Sequence, residues 1–103
     1  LNKVFYLVML YNTIIFVSNK NRYIMQKRAR KAFNALKKMG CPVKEWDGND
    51  RGHFWINAEE ENAGEWLDYY NLFEGSKKLN EILNSNGLYF EWTNSAFGCV
   101  YDI

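Results

Sequence analysis

Ala29, Ala32, Phe33, Leu36 and Met39 recur at the three- and four-residue spacing of a helix face, with charged side chains filling most positions between them. The pattern predicts an amphipathic helix over residues 25–39. Gly40 can take the left-handed conformation that closes such a helix, and Pro42 prevents its continuation. Beyond it the period shortens. Residues 43–46 read as a strand, residues 47–52 as a turn-rich connection and residues 53–57 as the returning strand of a hairpin. Alternation along the second arm puts Phe54 and Ile56 on one side and His53, Trp55 and Asn57 on the other.

Asn57 or Asn62, each followed three residues later by a glutamate (Glu60 or Glu65), can cap a second helix. Its buried stripe would be Trp66, Tyr69, Tyr70 and Phe73, and Gly75 would end it. Ser76 can cap a third helix with apolar positions Leu79, Ile82 and Leu83, closed by Gly87 and covered by Leu88. Residues 89–92 and 97–101, around a turn at 93–96, make a second hairpin. The order α-β-β-α-α-β-β predicts an α+β fold in which two hairpins build an antiparallel sheet and about three helices pack on one face.

Residues 1–24 differ from the rest. Positions 4–17 are apolar apart from Asn12 and Thr13. The run is short against the roughly 20 residues of a membrane-spanning helix, and Ser18, Asn19, Lys20 and Asn21 offer no small-x-small signal cleavage site. The expectation is an extension upstream of a domain that occupies residues 25–103. If ordered, the extension would be a hairpin around Asn12 and Thr13.

Aromatic residues are 17% of the 103, with Trp46, Trp55, Trp66 and Trp92 among them, as suits a small domain that must bury large side chains. The formal charge of +1 hides a division. Lys27, Arg28, Arg30, Lys31, Lys37 and Lys38 fall in the first helix with no acid beside them, whereas residues 40–103 hold four basic and twelve acidic residues, a net of −8. A basic helix is joined to an acidic body.

Candidate chemistry is sparse. Cys41 and Cys99 have neither zinc-like spacing nor partners for a disulfide framework. His53, the single histidine, stands near Glu59, Glu60 and Glu61, but no Ser or Cys sits at a recognisable nucleophile turn. Consecutive glutamates point about 100° apart on a helix and serve better as first-turn charges than as metal ligands. Asp47, Gly48, Asn49 and Asp50 open like a calcium loop, yet Ala58 occupies the place of its closing glutamate. No glycine-rich phosphate loop occurs. The expectation is therefore a non-enzymatic domain with no catalytic residues, no metal and no cofactor.

Two partner classes remain. Trp55, beside His53 and Arg51, is either an exposed anchor for a protein partner or a residue packed against Trp46 across the hairpin. The basic residues Lys27, Arg28, Arg30, Lys31, Lys37 and Lys38 form the alternative, a nucleic-acid contact opposed by the acidic body.

The stretches Gly40-Cys41-Pro42-Val43, His53-Phe54-Trp55-Ile56, Trp66-Leu67-Asp68-Tyr69-Tyr70, Asn86-Gly87-Leu88-Tyr89-Phe90-Glu91-Trp92 and Gly98-Cys99-Val100-Tyr101 give residues 25–103 a likeness to a group of small bacteriophage proteins. The resemblance implies an intracellular, phage-derived setting in the host cytoplasm, and brings no activity, substrate or catalytic residue with it. The expectation of a phage accessory or host-interaction domain rests instead on small size, the lack of a catalytic constellation and the uneven charge.

Overall fold

A computed structural model of the chain describes residues 25–47 and 51–103. The expectations for residues 1–24 and for the tip of the first hairpin lie outside the described residues. Helix α1 (Lys27–Lys38) buries Ala29, Ala32, Phe33 and Leu36 of the stripe that the spacing predicts, whereas Met39, its fifth member, is the C-cap and is exposed. Gly40 closes it at φ +91°, and the Cys41 N–H returns to the Leu36 carbonyl. Strands β1 (Val43–Lys44) and β2 (Phe54–Asn57) follow as an antiparallel pair. A 3₁₀ turn (Ala63–Glu65) leads to α2 (Lys77–Ser85), whose Ser76 cap accepts the Leu79 N–H at 3.1 Å. Strands β3 (Leu88–Asn94) and β4 (Phe97–Asp102) finish the chain. The class is α+β.

The four strands are all antiparallel in the order β1-β2-β4-β3, so the two hairpins join through β2 and β4, with Phe54 opposite Val100 and Trp55 opposite Cys99. Phe54, Ile56, Leu88 and Val100 meet Phe33, Leu36, Leu79 and Leu83 in one core, and the Phe33 and Phe54 rings cross edge to face at 5.2 Å. Among the described residues no helix is long and apolar enough to cross a membrane.

One predicted helix is absent. Between the 3₁₀ turn and Gly75 the chain makes a loop closed by paired backbone hydrogen bonds between Asp68 and Leu72. The Asp68 carboxylate accepts the N–H groups of Tyr70 and Asn71 at 2.9 and 3.1 Å, taking donors that a helix would need. Those bonds also hold its carboxyl below the usual range. Trp66 and Leu67 enter the core, whereas Tyr69, Tyr70 and Phe73 stand at the surface. Asn62, predicted as a cap, instead donates its side-chain amide to the Gly40 carbonyl.

Candidate functional site

The loop of residues 68–74 gathers aromatic rings at the surface. Tyr69 lies 5.3 Å from Tyr70, 5.3 Å from Phe73 and 5.2 Å from Trp92, in edge-on contacts. Phe73 stacks on Trp92 at 5.9 Å, and Phe90 meets Trp92 edge-on at 5.1 Å. The Trp92 indole N–H donates to the Phe73 carbonyl at 2.7 Å, which ties the loop to β3. Tyr70 is 82% exposed and Phe73 53%. On one side of the patch a hollow of about 400 Å³ is lined by Phe73, Glu74, Phe90, Glu91 and Trp92. Another of about 240 Å³ lies beside Asp68, Tyr69 and Tyr70. Period 3.6 marked Tyr69, Tyr70 and Phe73 as a buried stripe, so sequence reasoning missed this patch; the signal available was Asp68 followed by Asn71, an Asx-turn pairing.

Trp55 lies on the sheet face away from the helices and is partly exposed, as expected, and it also makes the alternative contact across the hairpin, packed between Trp46 at 5.7 Å and Phe97 at 5.4 Å. The Trp46 indole donates to the Arg51 carbonyl at 2.7 Å, so this aromatic group also closes the first hairpin. Arg51 is exposed. His53, expected to share the open face, is 7% exposed.

His53 Nε2 lies 2.9 Å from Asp102 Oδ1. Because a carboxylate only accepts, Nε2 carries the proton in this contact. Arg28 joins the same oxygen at 2.6 Å and also donates to the Asn86 carbonyl at 2.9 Å, so its guanidinium ties α1, the end of α2 and β4 together. A histidine held by a carboxylate resembles two members of a nucleophilic triad. Cys41 does not supply the third in an activated form. Burial pushes the Cys41 thiol up to about 12, which keeps it protonated, and Cys99 is buried with its sulfur 3.4 Å from the Thr93 hydroxyl. Among the described residues no three His, Cys, Asp or Glu side chains converge to hold a metal ion.

The clasp predicts a pH response. The hydrogen bond from His53, and then that from Arg28, holds the Asp102 carboxyl below its ordinary value. Its folded value lies below the unfolded value of about 3.9, so the stabilisation is fully present above that pH and is lost as pH falls through the lowered value. Asp102→Asn should lower the melting temperature at pH 7, and the gap to the parent protein should close as pH approaches 2. A gap that persists unchanged to pH 2 would assign the effect to packing instead.

The basic residues of α1 divide. Arg30 pairs with Glu45 through both guanidinium nitrogens at 3.0 and 3.1 Å, and Arg28 belongs to the Asp102 clasp. Lys27, Lys31, Lys37 and Lys38 are exposed, with the Lys37 ammonium 5.8 Å from the Phe33 ring centre. The structure thus gives Arg28 and Arg30 roles inside the fold and leaves lysines on the surface.

No family model matches the chain. No solved structure matches it either. Over 49 residues, 48% of the chain, it is 31% identical to a probable ubiquitin carboxyl-terminal hydrolase of Acanthamoeba polyphaga mimivirus. The stretch spans 10% of that protein's length.

Proposed function

We propose that the domain is a non-enzymatic protein-binding module that docks its partner on the aromatic loop of residues 69–73 together with Trp92. The observation that carries this reading is the exposure of Tyr70 and Phe73 within one contiguous set of rings that the Trp92 hydrogen bond holds in place. Contiguous exposed apolar surface marks interaction sites, and large aromatic side chains on a fixed backbone bind without a large cost in lost freedom. The resemblance to phage proteins supports a partner from the host cell or from the phage itself. The stretch shared with a viral hydrolase is 10% of that protein's length, too little to bring its activity into this reading.

Affinity capture from source cells, followed by mass spectrometry, tests it. Tyr70→Ala and Phe73→Ala should each cut partner recovery on the order of tenfold. Since both are surface substitutions, the melting temperature should stay within about 4 °C of the parent. Undiminished recovery with both variants would sink the reading.

A further inference from the structure

The hollow of about 400 Å³ beside the loop has a definite chemistry. Phe73 and Trp92 lie nearly parallel, 27° apart, and Phe90 stands almost perpendicular to Trp92 at 84°. Glu74 and Glu91 complete the wall, and among the described residues no lysine or arginine lines it. An aromatic face carries negative potential at its centre, so rings with the exposed Glu74 beside them favour a cation that is itself partly apolar. The size falls within the usual range for a site that takes a small group. The surroundings act in the same sense, because residues 40–103 carry a net charge of −8, and three of their four basic residues are paired: Lys44 with Glu60, Lys77 with Glu81 and Lys78 with Glu65.

We infer that this hollow receives the arginine or lysine side chain of a basic segment in the partner protein, an inference that rests on the aromatic loop being the docking surface. The cation lies against Phe73, Phe90 and Trp92, and Glu74 faces its charge at the rim. Glu91 belongs to the wall through its place on β3, while its carboxylate lies on the opposite face of the strand, where it accepts the Tyr89 hydroxyl at 3.3 Å. The apolar neighbours Tyr69 and Tyr70 cover the partner's backbone next to the inserted side chain. Acidic charge steers a basic segment to the patch, and the rings discriminate a side chain that fits from a merely attracted ion.

The test uses the full chain, an oligo-arginine peptide as probe and an oligo-glutamate peptide as control. The Trp92 indole N–H, fixed on the Phe73 carbonyl, serves as the NMR reporter. Oligo-arginine should shift that resonance saturably, and oligo-glutamate should not. Phe73→Ala should weaken the interaction on the order of tenfold through loss of a cation-facing ring. Glu74→Gln should weaken it roughly two- to fivefold and flatten its salt dependence.

Shifts spread over the acidic surface, with Phe73→Ala binding as tightly as the parent, would overturn the inference in favour of unspecific attraction. Movement of the Trp92 signal with protein concentration alone would also overturn it, because the occupant would then be the lysine-bearing helix of a second copy. Failure here is separable from failure of the docking reading. If capture still depends on Tyr70 while oligo-arginine leaves Trp92 unmoved, the loop binds a partner by apolar contact and only the cation is wrong.

Discussion

Trp66→Ala should lower the melting temperature by roughly 15–30 °C, the largest single-residue effect expected in the domain. The ring is 1% exposed and sits in the core with Leu67, Leu79 and Leu83. Its truncation removes the apolar burial of a whole indole and leaves a cavity, a loss of about 3–5 kcal/mol against the 5–15 kcal/mol by which small domains are usually stable. The ring contact of the Lys78 ammonium, 4.2 Å from the ring centre, fails with it. The Trp66 backbone carbonyl, which accepts the N–H of the α2 cap Ser76, survives the substitution but loses the ring that anchors it. Because Trp66 and Leu67 are the last core residues before the aromatic loop, partner capture should fall together with stability. Circular dichroism melts give the first readout. A shift below about 5 °C would show that the centre of the core lies elsewhere.

Gly98→Ala should be nearly as damaging, although it adds a single methyl group. A Cβ at this position would lie 2.6 Å from the Glu91 carbonyl oxygen and from Phe90 Cε1, and closer still to Phe90 Cζ. Gly98 is in the central strand β4, paired with Ile56 on one side and Trp92 on the other, so the backbone has little room to yield. The Phe90 ring lies across the strand because no side chain is there. Overpacking of this kind costs about 1–3 kcal/mol, and the upper end is expected where one of the obstructing atoms is backbone. The predicted result is a melting temperature lower by roughly 10–20 °C. The Trp92 indole resonance should be displaced as well, since Phe90 and Trp92 share a contact. An unchanged melt would mean that β3 can slide on β4 at little cost.

Several features were legible in the residue pattern, and they have a common physical basis in short-range interactions. The face of α1, its Gly40 ending and the Ser76 cap of α2 each depend on residues within about one turn of one another. The strands of both hairpins were legible for the same reason, as was the side of β2 that carries Phe54 and Ile56. What the pattern could not contain is the pairing of β2 with β4, which places the second hairpin in the reverse of its chain order within the sheet. Nor could it contain the clasp of Arg28, His53 and Asp102, whose members are separated by up to 74 positions. Residues 62–74 show the two kinds of determinant in conflict. Aromatic spacing argued for a buried helix, but Trp66 and Leu67 had already filled the available core, and Asp68 offered its carboxylate to the N–H groups that follow. Tertiary packing thereby decided that Tyr69, Tyr70 and Phe73 would face outward beside Trp92. The surface proposed to bind a partner exists because adjacent residues could not all enter one small core.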